Sequence, residues 1–252
     1  MYNPFSLENK TILITGASSG IGRQCAVDCS QMGAKVIAIG RNEKRLQETL
    51  NLLDGDGHAI YSYDLSEIDG IKELISLIVA EKGKLDGIIY AAGIEKSAPI
   101  KLLLPSDYEE ILRVNTISAF ELVRQSIGVK FINAPASVVF ISSITSVIAR
   151  ASTAAYSASK GALVSGARVM AAELARRNIR VNCISPGTVL TPLMENVLSQ
   201  LSEEEYEKRI SGFPLGLGEV TDISNACIFL LSNASRWITG QNIVIDGGYT
   251  IY

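Results

Sequence analysis

The segment Tyr156-Ser157-Ala158-Ser159-Lys160 sets a phenol and an ammonium four residues apart, on one face of a helix if the segment is helical. A free phenol has a pKa near ~10 and is a poor acid–base catalyst at neutral pH. An ammonium ~4 Å away, at an effective dielectric of ~20, contributes about 4 kcal/mol, enough to bring the phenol close to working pH. The spacing therefore predicts a tyrosine acid–base catalyst tuned by lysine. Such a spacing recurs by chance, so its weight depends on what accompanies it.

A second group of residues has the chemistry of a phosphate cradle. In Thr15-Gly16-Ala17-Ser18-Ser19-Gly20-Ile21-Gly22 the three glycines allow a tight turn and a close backbone approach to a pyrophosphate. A helix starting at Gly20 would add free N–H groups and a partial positive charge. The segment is a variant of the dinucleotide fingerprint, and its position between a first strand and a first helix separates it from an ordinary tight turn. An NAD site places a carboxylate about 20 residues further on, for the ribose 2′-hydroxyl. Here Gly40 stands in that place and Arg41 follows, a guanidinium able to fork onto a 2′-phosphate. The cofactor expected is NADP(H).

Elements able to position these groups alternate along the chain. Strands are expected at Thr11–Thr15, Lys35–Ile39, Ala59–Tyr63, Gly87–Ala91, Ser137–Ile141, Arg180–Ile184 and Asn242–Ile245. Helices are expected at Gly20–Met32, Glu43–Leu53, Ile68–Glu81, one long helix at Ser106–Ile127, Ala154–Arg177 and Asp222–Leu231. Several strands are apolar throughout, as in a parallel sheet buried on both faces. The expected fold class is α/β, a Rossmann-type doubly wound parallel sheet of about seven strands with helices on both faces. Residues 1–252 read as one oxidoreductase domain, with a substrate loop or lid at about 188–215.

Composition narrows the function. Hydrophobic residues make up 47% and charged residues 19%, and the net charge of −3 is spread along the chain without a basic stripe for nucleic acid. Cys25, Cys29, Cys183 and Cys227 lack metal-ligand spacing, and His58 is the only histidine, so no metal site is expected. The thiols read as free and buried, and His58 as structural. The N-terminal residues lack signal-peptide character and no apolar run approaches ~20 residues, which points to a cytoplasmic protein without a membrane partner.

Taken together, these motifs resemble the short-chain dehydrogenase/reductase family from end to end. Its TGxxxGxG pattern stands as Gly16, Gly20 and Gly22. The resemblance implies an adenine contact at Asp64-Leu65 and a catalytic asparagine at Asn115. It implies a catalytic serine 13 residues before the tyrosine, at Ser143 rather than Ser142. Pro186-Gly187 matches the PG motif, and Thr188 and Thr191 resemble the residues that hold the nicotinamide carboxamide. The family's NNAG reads Tyr90-Ala91-Ala92-Gly93, so the sheet-bracing side-chain bonds must be replaced or absent, while main-chain cofactor contacts at Ala92 and Gly93 remain. The implied chemistry is hydride transfer from NADPH to a carbonyl. Tyr156 donates the proton, Ser143 holds the oxygen, and Lys160 tunes the phenol and binds ribose. Asn115 positions a water linking Lys160 to solvent.

Substrate identity is expected in Leu190–Phe213, either an apolar lid or an amphipathic helix packed on its own domain, and in the loops after the fourth and fifth strands. Arg150 reads as an exposed loop residue rather than a substrate contact. A general carbonyl reductase or alcohol dehydrogenase acting on a small molecule leads. A 3-oxoacyl-acyl-carrier-protein reductase is the alternative, with Arg176 and Arg177 as part of a carrier-binding patch. A non-catalytic cofactor sensor and a sugar-nucleotide epimerase follow. The small-residue helix Ala154–Arg177 and the C-terminal DGGYTIY segment suggest a homotetramer, or failing that a dimer.

Overall fold

The computed structural model describes residues 2–252, apart from the side chains of Leu193 and Lys208. Its centre is a seven-stranded sheet built from β1 (Thr11–Thr15), β2 (Lys35–Gly40), β3 (Ala59–Ser62), β4 (Leu85–Tyr90), β5 (Ile132–Ile141), β6 (Ile179–Pro186) and β9 (Asn242–Ile245). Every pairing is parallel and the order is β3-β2-β1-β4-β5-β6-β9. A two-stranded ladder, β7 (Val189–Leu190) with β8 (Gly218–Glu219), lies apart and was not expected. Its strands are too short to leave a periodic signal.

Alternation of side chains across the pleat explains why helices cover both faces. Leu13, Ile37, Ile39, Ile88 and Phe140 enter one core with α3 (Ile71–Lys82), α5 (Ser118–Ser126) and α6 (Ala154–Leu174). Ile12, Ile14, Val36, Ala38 and Ile89 enter the other with α1 (Gly20–Gln31) and α9 (Val220–Leu231). A strand buried on both sides must be apolar at consecutive positions, as TILIT is. The four cysteines are free and buried. His58 bridges Val36 N–H and the Asp54 carbonyl at 3.0 and 2.9 Å, a structural role.

The strand order reverses between β1 and β4. At such a switch point the connecting loops leave in opposite directions and open a crevice at the carboxyl ends of the strands. Thr15 pairs with Tyr90, and Tyr90 with Phe140, so the glycine-rich turn, the segment after β4 and the segment after β5 leave the sheet together.

The expected long helix at 106–127 is broken. It runs as α4 (Pro105–Leu112), a π turn at Arg113–Ile117 and then α5. The π turn carries Asn115, and single π turns inside helices recur at functional sites. Segment 190–213 forms two short helices, α7 (Pro192–Leu198) and α8 (Glu203–Ile210). Leu198 and Phe213 face inward, while Val197 and Tyr206 stay exposed. The remaining helix, α2 (Glu43–Leu50), starts at Asn42, whose side chain caps Arg45 N–H at 2.9 Å. No helix of the described residues is long and apolar enough to cross a membrane.

Candidate active site

Two adjoining cavities occupy the crevice. The first, about 330 Å³, runs along the glycine-rich turn. Gly16, Ser18, Ser19, Ile21 and Gly22 form one wall, Arg41, Arg45, Asp64 and Leu65 the end, and Ala92, Gly93 and Thr191 the far side. Gly20 stands between Ser19 and Ile21 with φ +53, and an added methyl would come 3.3 Å from Thr191 Cγ2. At Gly22 a methyl would lie 2.4 Å from the Gly16 carbonyl oxygen, so only glycine lets the helix and turn meet. The Ser19 side chain makes no capping bond and the first turn of α1 holds no acid, so its N–H groups are available to a diphosphate. These features fit a dinucleotide.

At the cavity's end, a methyl on Gly40 would meet Ser18 Cβ and Oγ and Leu46 Cδ2, each at 3.3 Å. Ser18 and Leu46 therefore crowd the space an acid at position 40 would need. Arg45 joins Arg41 there, one helical turn into α2, and sequence reasoning missed it. Asp64 is held below the usual carboxylate range, chiefly by the Ser66 backbone N–H at 2.9 Å.

The second cavity, about 230 Å³, gathers Ser143, Tyr156, Lys160, Pro186, Gly187 and Thr188. It shares Gly93 and Thr191 with the first, so the two hollows meet along that wall. Ser142 does not serve here, since its Oγ donates to the Lys160 carbonyl at 2.9 Å. Ser143 Oγ accepts from Thr145 N–H at 3.2 Å and Thr145 Oγ1 at 3.1 Å, leaving its own proton to donate. Thr191 caps α7 by accepting from Met194 N–H at 3.2 Å.

Lys160 departs from the simple expectation. It is buried, its Nζ donates to the Ile141 carbonyl at 2.8 Å, and it lies 5.6 Å from the centroid of the Tyr156 ring. The ammonium thus faces the ring rather than only the phenol oxygen. Burial pushes Lys160 down to about 8, against weaker support from Cys183 and Glu95. Tyr156 is not lowered: burial pushes it up to about 12, Glu95 adds to this, and the Ser143 hydrogen bond and Arg150 oppose it. Desolvation of the phenolate outweighs the attraction that helical spacing suggested.

Asn115 is fully buried. Its Oδ1 accepts from Ile94 N–H at 2.8 Å, and its Nδ2 donates to the Ile94 carbonyl at 2.9 Å and to Ser159 Oγ at 3.0 Å. The amide therefore ties the segment after β4 to α6, which carries Tyr156 and Lys160. A methyl on Gly93 would come 3.3 Å from both Asn115 Oδ1 and Lys160 Nζ, so glycine keeps those two groups adjacent. Tyr90 replaces part of the missing asparagine bracing. Its buried hydroxyl donates to the Val114 carbonyl at 2.7 Å and lies 2.6 Å from Ser118 Oγ, clasping the π turn from both sides. Thr15 Oγ1 accepts from Ala91 N–H and Ala92 N–H, each at 3.1 Å.

Three basic residues bear on the reading of the substrate side. Arg150 is exposed on its loop, as expected, and also lines the second cavity. Arg176 and Arg177 follow the C-terminal end of α6 while Tyr156 is near its start, about 30 Å apart along a helix rising 1.5 Å per residue. Within one chain they are not at the cavity mouth. A separate cleft of about 790 Å³ lies by Lys10, Arg180 and Trp237 at the opposite end of the strands and includes none of the residues above.

Residues 16–250 match the family model described as enoyl-(acyl carrier protein) reductase. The chain is 32% identical over 248 residues to 3-oxoacyl-(acyl-carrier-protein) reductase FabG of Thermotoga maritima, covering 97% of this chain and 99% of that protein. It is 34% identical over 248 residues to glucose 1-dehydrogenase of Gluconobacter oxydans, covering 96% and 92%. The crystal structure of Cj0485 dehydrogenase superposes with a TM-score of 0.92 at 26% identity, covering 99% of this chain and 97% of that one.

Proposed function

The chain belongs to the short-chain dehydrogenase/reductase family, and from that premise we propose that it is an NADP(H)-dependent oxidoreductase that reduces a carbonyl with Tyr156 as proton donor. The observation that carries this reading is the meeting of two cavities at Gly93 and Thr191. One is shaped for a dinucleotide, and the other holds Ser143, Tyr156 and Lys160.

When bound, the nicotinamide supplies hydride to the carbonyl carbon or takes it from the alcohol. The chain's residues do the rest. Ser143, its oxygen already accepting from Thr145, turns its proton to the substrate oxygen. Tyr156 is protonated at neutral pH, the form that reduction needs, and passes its proton to the same oxygen. Alcohol oxidation needs the phenolate and so gains with rising pH. Lys160 binds the nicotinamide ribose and stabilises the phenolate left after transfer. Asn115 acts through placement, holding α6 against the segment after β4. Gly187, Thr188 and Thr191 hold the carboxamide side of the nicotinamide. Arg41 and Arg45 take the 2′-phosphate, where the crowding around Gly40 works against a carboxylate and hence against NAD(H).

A 3-oxoacyl-acyl-carrier-protein reductase is the second reading, favoured by the similarity to the Thermotoga protein. Residues 188–215 form the cover of the substrate cavity in either case. Purified protein with NADPH is to be screened against ketones, ketoacyl thioesters and keto-sugars. Tyr156→Phe should keep fold and NADPH binding and lose about 10²–10⁴-fold in kcat. Near-normal turnover by that variant refutes the mechanism.

A further inference from the structure

The catalytic cavity does not end at Tyr156. Ile144, Arg150 and Thr188 also line a neighbouring hollow of about 300 Å³, whose far side is formed by Arg209, Phe213 and Tyr249. The Phe213 and Tyr249 rings stack with centroids 4.5 Å apart and give this hollow a rigid apolar wall. Two guanidiniums, an exposed one from the loop after β5 and a half-buried one from the end of α8, line the same half-open hollow.

Neither guanidinium is neutralised. The ion pairs among the described residues are Arg23–Glu48, Lys96–Asp107 and Arg124–Glu121. Arg209 donates to Met194 Sδ at 3.7 Å, a weak acceptor that leaves its charge uncompensated. Burial and then the Arg150 charge disfavour its protonated form, while Glu95 and Tyr249 favour it. Glu95 is the carboxylate lining the catalytic cavity, and its Oε1 accepts from Ser97 Oγ at 3.1 Å. Two cations against one anion leave the mouth net positive. Two like charges lining one hollow repel each other unless a counter-charge enters. These arginines are also separate from Arg41 and Arg45, which line the other cavity.

We infer that the hollow between Arg150 and Arg209 is an anion subsite, so that the substrate is a carbonyl compound with a carboxylate or phosphate remote from the carbon that is reduced. The inference rests on the reading of the Tyr156 cavity as the site of reduction. A guanidinium fork suits both anions, since each offers paired oxygens to parallel N–H donors.

The test uses two matched pairs, levulinate against methyl levulinate and dihydroxyacetone phosphate against dihydroxyacetone. Binding is measured by calorimetry to the enzyme–NADP⁺ complex, which cannot reduce them, and turnover separately with NADPH. In at least one pair the anion should bind at least about tenfold tighter than its neutral partner, and the preference should shrink as salt is raised. Arg150→Gln and Arg209→Gln should each lower the anion-to-neutral ratio by about tenfold or more while NADP⁺ affinity holds, and Arg209→Lys should restore part of it. The pair that responds identifies carboxylate or phosphate. Equal affinities within both pairs, no binding of either anion, or a ratio unmoved by both glutamine variants overturns the inference. The wild-type comparison decides even if a variant misfolds. Reduction of carbonyls regardless of charge defeats the subsite and spares the reductase reading. Tight anion binding with no reduction of any carbonyl does the reverse.

Discussion

Replacing Lys160 by methionine should cost activity and, below pH 8, relieve the fold of a buried charge. Lys160 is 4% exposed, and its pKa falls from an ordinary 10.5 to about 8. That interval, at 1.36 kcal/mol per unit, corresponds to about 3 kcal/mol. The sign follows from proton counts. Below pH 8 both folded and unfolded chains carry the charge, and the folded state bears its full desolvation cost. Between about 8 and 10.5 the unfolded chain binds more protons, so wild-type stability rises with pH. Above 10.5 both states are neutral and the cost is gone. Methionine has no such dependence. It leaves the Ile141 carbonyl without its 2.8 Å donor, but that loss is the same at every pH. Urea unfolding of cofactor-free wild type and Lys160→Met, at fixed protein concentration from pH 7 to 10.5, gives the difference directly. Wild type should gain about 3 kcal/mol on the variant across that range. A difference flat to within about 1 kcal/mol would refute the desolvation argument.

Arg41→Ala should weaken NADPH by about 1.5–3 kcal/mol, the range of a charged hydrogen bond, and leave NADH almost unchanged in titrations. Equal wild-type affinities for the two cofactors would sink the assignment. Two glycine-to-alanine changes should act in opposite directions. Gly22→Ala forces a methyl to 2.4 Å from a backbone oxygen and should cost about 1–3 kcal/mol and impair cofactor binding. Gly161→Ala, with open space around a helix-interior position, should stabilise by up to about 1 kcal/mol in the same unfolding assay. Light scattering at micromolar concentration should give a tetramer or a dimer. Ile117 and Val169 are exposed on the π turn and α6, and Ile251 and Tyr252 at the C-terminus, so a monomer would leave them in water.

The sheet was legible because β1, β2 and β4 are apolar on both faces, and the cradle because Gly16, Gly20 and Gly22 are spaced for a turn entering a helix. What escaped depends on groups that meet only after folding. The π turn at Arg113–Ile117 is one extra residue inside a helical period, too local to disturb the pattern. Arg150 and Arg209 lie 59 positions apart in the chain and share a hollow only because β5 and α8 bring them there. The Tyr156–Lys160 spacing was legible, but the balance of attraction against burial was not. A sequence shows which charges are neighbours and conceals how much water surrounds them.

The clasp made by Tyr90 also bears on how this chain can change. Its ring lies 6.5 Å from that of Phe140, whose ring in turn lies 6.2 Å from that of Phe120, and its hydroxyl fastens Val114 beside Asn115. A single step to the family's asparagine would exchange a large aromatic for a short amide. It would open a void costing several kcal/mol, on the scale of about 3–5 for losing a buried ring. The shorter side chain would not reach Val114 and Ser118 as the phenol does, and Ala91 would still lack the second amide. An asparagine at position 90 therefore calls for compensating changes among the residues that Tyr90 touches. Lineages that carry a tyrosine here should also carry a small hydroxylated residue at position 118 and bulky aromatics at 120 and 140, inherited as a block.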